Sequence, residues 1–178
     1  MRTRNPGFTL IELLIATAVM AILTALASAS YTTVKSRWDA EEARVALYTG
    51  FFTAKTQALA GGIQTVICPS TDGQYCLASN QWHHGWIVFQ DLNQNREHEM
   101  NEARLTLQRA LPSRTRLGSN AGRTRLVFQP NGSNGGTNAT FTLCDSRGPD
   151  AAKNLIISNS GRIRTATADP VMASQICL

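Results

Sequence analysis

The feature that most constrains this chain is an apolar run near its N-terminus, Phe8 to Ala29, whose 22 residues include a single charge, Glu12. A continuous helix over this run would be about 33 Å long at 1.5 Å per residue, which matches a hydrocarbon core of roughly 30 Å. Arg2 and Arg4 precede the run and are expected to stay on the cytoplasmic side. The sequence therefore predicts one membrane-spanning helix over residues 8–29, with the downstream domain outside the inner membrane.

The clearest break in this region comes before the apolar run, at Pro6 and Gly7. Both residues disfavour a helix, so the bond between Gly7 and Phe8 is expected to be extended and open to a protease. Cleavage there would create a cationic amine one helical turn from Glu12. A carboxylate in hydrocarbon is costly unless it is paired. Glu12 is therefore expected either to pair with such an amine, its own or a neighbouring copy's, or to lie among the lipid headgroups in contact with water.

The helix is predicted to continue beyond the membrane, over residues 30–60, until Gly61 and Gly62 end it. Large apolar residues in this continuation recur at spacings of four, seven, three, four and seven, which is one face of an α-helix. We expect this face to pack on the following domain. Its members are Val34, Trp38, Val45, Tyr48, Phe52 and Leu59.

After Gly62 the hydrophobic period changes to two, which is typical of β-strands. The predicted strands are 63–68, 86–89, 104–107, 124–128, 139–143 and 154–157. A long helix followed by antiparallel strands predicts an α+β fold, in which the N-terminal helix packs on an antiparallel sheet or sandwich formed by residues 61–178.

The cysteines number four, an even count that indicates two disulfides in an exported domain. Three pairings are open. Cys68 and Cys76 bracket a turn-rich connection, which favours this short pair and leaves Cys144 with Cys177. A zinc site is less favoured, because neither cysteine pair has the usual ligand spacing and no histidine is close to a cysteine in sequence.

Charge is distributed unevenly along the chain. Residues 30–103 carry five basic and eight acidic side chains, a net −3, whereas residues 104–164 carry ten basic side chains against two acidic ones, a net +8. Nine of these ten are arginines, which suit bidentate contact with phosphate. This second segment is a candidate surface for a polyanion, although scattered arginines also serve simply to keep a β domain soluble.

The segment Gly7-Phe8-Thr9-Leu10-Ile11-Glu12 resembles the processing site of type IV pilins and type II secretion pseudopilins. The resemblance implies that residues 1–7 are a leader peptide. It also implies that a prepilin peptidase cuts after Gly7 and methylates Phe8, and that Glu12 pairs with an N-terminal amine during filament assembly. The chain would then be a single-pass protein of the inner membrane with a periplasmic domain, and later part of a pilus at the cell surface.

The globular half resembles the FimT/GspH group of minor pilins, and its FimT branch is the better match. The matching segments are Cys68 to Cys76, Trp82 to Phe89, Asp91 to Asn95, Thr140 to Cys144 and Ile156 to Arg164. The implied partners are other major and minor pilins and the prepilin peptidase, with no cofactor and no enzymatic activity.

The most specific candidate for ligand binding is Ser160-Gly161-Arg162-Ile163-Arg164. Ser-Gly supplies a turn, and alternation along the following strand places Arg162 and Arg164 on one face, about 7 Å apart. That distance is close to the spacing of successive phosphates on one nucleic-acid strand. Gly161 to Arg164 also matches the GRxR motif that is associated with DNA binding in the FimT family during natural transformation.

Two further arginine pairs, Arg114 with Arg116 and Arg123 with Arg125, would have the same geometry if their backbone is extended. The predicted site therefore consists of these four arginines together with Gly161, Arg162 and Arg164, as one stripe on double-stranded DNA. No recognition helix is evident, so little sequence preference is expected. The alternatives are a purely structural subunit that primes pilus or pseudopilus assembly, and an adhesin for acidic glycans.

Residues Asp91 to Glu102 resemble an EF-hand calcium loop, with oxygen-bearing side chains at positions one, three, five, seven, nine and twelve. The segment departs from that motif at position six, where Arg96 replaces glycine, and it follows a predicted strand rather than a helix. We interpret it as a polar loop and assign no metal. His83, His84 and His98 are interpreted as turn residues, and no catalytic arrangement stands out.

Overall fold

The computed structural model of the chain describes residues 7–135 and 138–177, and the side chains of residues 26–30 and 172 lie outside that description. The chain divides into two compact units, Met1–Lys35 and Ser36–Leu178. Most of the predicted leader, residues 1–6, is outside the described residues. The part of the chain that is described contains no helix with an 18-residue stretch apolar enough to cross a membrane.

Helix α1 runs over Leu10–Gly61, close to the predicted end at residue 60. Gly62 follows with a φ of 63°, a left-handed conformation that glycine adopts without steric cost. The Gly62 N–H donates to the carbonyl oxygen of Ala58 at 3.1 Å. The two glycines thus end the helix as the sequence predicts.

The described residues form eight strands, β1 Thr65–Pro69, β2 Trp86–Gln90, β3 Arg104–Gln108, β4 Arg116–Ser119, β5 Leu126–Phe128, β6 Ala139–Cys144, β7 Lys153–Ile157 and β8 Ile163–Thr167, followed by a short helix, α2 Pro170–Cys177. The strands make two four-stranded antiparallel sheets, with strand orders β3-β2-β1-β5 and β4-β6-β7-β8. The predicted α+β fold is confirmed. Strand β4 and helix α2 were not predicted from the sequence.

The main core lies between the second half of α1 and the two sheets. Phe141 of β6 contacts the helix and the β1–β2 connection, because its ring centroid is 5.0 Å from that of Phe51 and 4.9 Å from that of Trp82. Most of the helical residues in this core are small, which allows the sheets to approach closely. The buried helical residues are Ala43, Leu47, Gly50, Phe51, Ala54 and Ala58.

The helix face that the sequence predicts to be core is exposed, so this prediction is wrong. Its six members, Val34, Trp38, Val45, Tyr48, Phe52 and Leu59, are 44–71% exposed. At 100° per residue, the five from Trp38 onward lie on the side of α1 opposite the buried alanines. We call these five residues, Trp38, Val45, Tyr48, Phe52 and Leu59, the α1 stripe.

Both favoured disulfides are formed, Cys68 with Cys76 and Cys144 with Cys177. The second bond attaches α2 to β6, and Cys144, Ala152, Ala168 and Ala173 form a small buried cluster there.

Removing the Cys144–Cys177 disulfide should destabilise the domain more than removing the other. It closes a separation of 33 residues, against 8 for Cys68–Cys76, and loop-closure entropy predicts losses of about 3.7 and 2.5 kcal/mol respectively. Urea unfolding of the two double alanine variants measures the difference. Equal losses would contradict the entropic explanation.

Candidate functional site

The turn between β7 and β8 carries the predicted Gly161–Arg164 motif. The Gly161 N–H donates to the carbonyl oxygen of Ser158 at 2.8 Å, and the Ser158 N–H donates to that of Arg162 at 3.0 Å. Gly161 has a φ of 70°. Lys55 of α1 donates to the Gly161 carbonyl oxygen at 3.1 Å. Glycine therefore has a backbone role here, since it forms a tight turn held against the helix.

Arg162 follows this turn directly, Arg164 is the second residue of β8, which is an edge strand, and both arginines are exposed. Ile163 between them pairs with Ile157 and packs against the main core. Alternation along a strand then directs both arginine side chains away from that core, about 7 Å apart. Among the described residues neither guanidinium has an ion-pair partner.

Arg114 and Arg116 lie elsewhere. Arg114 is in the turn before β4, and Arg116 is the first residue of β4, so this pair is not an extended strand segment. Strand β4 is at the opposite edge of the sheet from β8, with β6 and β7 between them. Three strand spacings of about 4.8 Å place the two edges about 14 Å apart.

Arg123 and Arg125 are in the connection before β5, not within a strand. Strand β5 belongs to the other sheet. Arg125 is ion-paired with Glu97. The predicted single stripe of three arginine pairs is therefore wrong, because the topology distributes the pairs over both edges of one sheet and onto the second sheet.

Arg116 lines a cavity of about 350 Å³ together with His83 and His84, which lie in a turn as predicted. Burial lowers the pKa of His83, and nearby His84 and Arg116 lower it further, although the contact with the Leu117 carbonyl oxygen opposes this shift. The lowered pKa favours the neutral form of the imidazole beside Arg116. In the described part of the chain, no group of three or more His, Cys, Asp or Glu could hold a metal ion.

The predicted processing and assembly residues lie at the start of α1. Gly7 and Phe8 are exposed and precede the helix. The Glu12 carboxylate accepts hydrogen bonds from the N–H and the hydroxyl of Thr9, both at 2.9 Å, and the Glu12 N–H donates to the Thr9 hydroxyl oxygen at 3.3 Å. This is a capping box. The capping role of Thr9 was not predicted, although Thr-x-x-Glu before an apolar run is the sequence signal for a capping box.

Solved structures share this fold. The type IV minor pilin FimU of Pseudomonas aeruginosa is 21% identical, with a TM-score of 0.57 over 81% of this chain and 96% of that one. The minor pseudopilin EpsH from the type 2 secretion system of Vibrio cholerae is 14% identical, with a TM-score of 0.53 over 72% of this chain and 97% of that one. No curated protein gives a significant sequence match.

Two family models match the sequence. The prokaryotic N-terminal methylation motif matches residues 2–28, which include Gly7, Phe8 and Glu12. The model of type II transport protein GspH matches residues 44–161. Because the second match covers about two thirds of the chain, the chain belongs to the GspH family.

Proposed function

We propose that this GspH-family chain is a minor pilin that binds double-stranded DNA without sequence preference, for DNA uptake in natural transformation. It is processed after Gly7 by a prepilin peptidase, anchored in the inner membrane by its N-terminal helix, and then assembled with other pilins so that the β domain is displayed outside the cell. The N-terminal methylation motif at residues 2–28 supports processing and assembly.

The observation that supports DNA binding is the exposed pair Arg162 and Arg164, at the start of an edge strand and without a carboxylate partner among the described residues. Two arginines whose Cα atoms are about 7 Å apart suit successive phosphates, and each neutralised phosphate releases counterions. Such contacts position a protein on DNA but carry no sequence information.

The other predicted arginines have lesser roles in this proposal. Arg125 is already paired with Glu97. Arg114, Arg116 and Arg123 contribute to the positive field that attracts DNA but do not extend the β8 pair. Gly161 shapes the turn before Arg162 and makes no DNA contact of its own.

The test is binding of the full chain in detergent to a labelled duplex over a series of salt concentrations. Arg162→Ala with Arg164→Ala should weaken binding at low salt by roughly tenfold and reduce the slope of log K against log salt by about 2, since two phosphate contacts are lost. Duplexes of different sequence should be affected equally.

The matched control is Arg37→Ala with Arg44→Ala, which removes the same formal charge. These residues lie on α1 eighteen and eleven positions before Lys55, so they are about 27 and 16 Å along the axis from the helix position that contacts Gly161. If the control weakens binding as much as the β8 variant, the site assignment is wrong. If the unmutated chain binds no duplex at low salt, DNA binding is excluded.

A structural subunit is the second candidate, and the α1 stripe favours it. Five large apolar side chains in solvent on one helix face are typical of a surface that a partner covers. In this proposal the stripe packs against a helix of a neighbouring pilin. The two roles are compatible, because the stripe side chains belong to α1 whereas Arg162 and Arg164 lie at the start of β8.

A further inference from the structure

The loop between β2 and β3 contains a buried carboxylate with an unused oxygen. Asp91 is 1% exposed. Its Oδ2 accepts hydrogen bonds from the side-chain amide of Gln64 at 2.6 Å and from the backbone N–H of Arg96 at 3.0 Å. Its Oδ1 is buried with no hydrogen-bond partner among the described residues.

The unused oxygen is a candidate ligand for a cation. A buried polar atom without a partner is costly, and the penalty is larger for an ionised carboxylate than for a neutral group. Because Oδ2 bonds the loop's own backbone at Arg96, the carboxyl group is directed into the loop. A cation held by the loop would satisfy Oδ1.

The rest of the loop supplies oxygen ligands at the positions of an EF-hand. Counted from Asp91, Asn93 is third, Asn95 fifth, and the carbonyl group of Glu97 seventh. The Asn95 N–H donates to Asn93 Oδ1 at 3.0 Å, and the Glu97 N–H donates to Asn95 Oδ1 at 2.8 Å. These bonds fold the loop into consecutive turns, and each amide oxygen retains a second lone pair.

Arg96 occupies position six, which is the departure from the motif that the sequence analysis noted. In an EF-hand, glycine allows a sharp turn at this position. Arg96 makes the turn without being glycine, because it adopts a φ of 65°. The departure therefore changes the side chain but keeps a left-handed backbone at this position.

Glu102 occupies position twelve, where an EF-hand has its bidentate glutamate. It is 6% exposed. Its Oε1 accepts from the N–H of Leu92 at 2.8 Å, and its Oε2 accepts from the N–H of Glu99 at 3.1 Å. These two bonds hold the Glu102 carboxylate against the backbone at positions two and nine of the loop, and each oxygen still has a lone pair.

We propose that the Asp91–Glu102 loop binds Ca²⁺. The ligands are the carboxylates of Asp91 and Glu102, the amide oxygens of Asn93 and Asn95, and the carbonyl oxygen of Glu97. Ca²⁺ accepts six to eight such oxygens, whereas Mg²⁺ requires a stricter octahedron. Only two ligands are charged, so the site belongs to the weak class of extracellular calcium modules, with a dissociation constant of about 10⁻⁴–10⁻³ M.

The experiment is a titration of the full chain with Ca²⁺, in detergent and after EDTA treatment. Calorimetry measures the heat of binding, and thermal unfolding measures the change in the unfolding midpoint. Ca²⁺ at about 10 mM should raise the midpoint, since a ligand that binds only the folded state stabilises it, and the same concentration of Mg²⁺ should have little effect. Asn93→Ala with Asn95→Ala should raise the dissociation constant at least about tenfold. Both asparagines are exposed, so the variant is expected to fold.

Two further variants complete the test. Asp72→Asn is the matched control, because Asp72 lies in another loop and its Oδ1 accepts similar bonds from the N–H groups of Gln74 and Tyr75. The affinity of this variant for Ca²⁺ should equal that of the natural chain. Arg96→Gly should bind at least as tightly as the natural chain. The proposal is overturned if Ca²⁺ produces neither heat nor a midpoint change, or if Asp72→Asn weakens binding as much as the asparagine variant.

Discussion

Replacing Gly161 by alanine is expected to lower the free energy of unfolding by about 2–5 kcal/mol. Gly161 has a φ of 70°, and a Cβ built there would lie 2.4 Å from the carbonyl oxygen of Gly132 and 3.2 Å from Lys55 Nζ. The Gly132 oxygen is a backbone atom, so it cannot move aside without a shift of its loop. Urea unfolding of the full chain in detergent, followed by tryptophan fluorescence, measures the loss.

Gly62→Ala separates the two costs. Gly62 also has a positive φ, 63°, but no atom lies within 4 Å of the Cβ position. This variant should therefore show the backbone cost alone, about 1–2 kcal/mol. If both variants lose the same stability, close packing against Gly132 is not what requires glycine at position 161.

This result bears on how the Gly-Arg-x-Arg motif is understood. The glycine allows the β7–β8 turn to lie against the loop at Gly132 and the Lys55 ammonium group. A loss of DNA binding in a Gly161 variant would therefore reflect a disrupted turn and not a lost contact. Comparison with Arg162→Ala and Arg164→Ala, which leave the turn backbone intact, distinguishes the two causes.

Local signals predicted much of the fold. The helix end at Gly61 and Gly62 follows from the ease with which glycine adopts positive φ, and six strands follow from hydrophobic alternation. Strand β4 was missed because Gly118 interrupts its apolar pattern, and Ile176 of α2 packs against that glycine. Helix α2 was missed because its eight residues are too few to show a clear period.

The buried face of α1 could not be predicted from side-chain size. Apolar residues occupy both faces of the helix, so the hydrophobic periodicity is equally consistent with either face being buried. The sheets select the face with small residues: a Cβ at Gly50 would already lie 3.1 Å from both Ile67 and Trp86. The larger residues of the α1 stripe therefore remain outside.

The distribution of the arginine pairs depended on strand order, which sequence spacing does not contain. Arg162 and Arg164 lie at the start of β8, where Arg162 directly precedes the strand and Arg164 is its second residue. Arg116 begins β4, whereas Arg125 lies in the connection before β5 of the other sheet, and the Glu97 partner of Arg125 comes from a loop 28 residues earlier. Contacts of that separation are fixed by tertiary pairing and leave no local pattern.

Replacing two members of the α1 stripe, by Trp38→Ser with Phe52→Ser, is expected to reduce incorporation into filaments at least about tenfold. Trp38 is 71% exposed and Phe52 58% exposed, so neither side chain stabilises the isolated domain by burial. In a filament, burying two such side chains against a neighbouring helix would contribute about 1.5–3 kcal/mol each, which corresponds to more than a tenfold change in an association constant. The measurement is the ratio of this chain in sheared filaments to that in membranes of the source cells.

The control variant is Tyr75→Ser with Met100→Ser, which removes two exposed apolar side chains from loops outside the helix; these are 63% and 99% exposed. It should assemble normally, because general surface hydrophobicity is not what attracts a neighbouring helix. Equal incorporation of the stripe variant and the natural chain would show that the stripe is not an assembly surface. Reduced incorporation with unchanged DNA binding would show that assembly and DNA capture use separate faces of one domain.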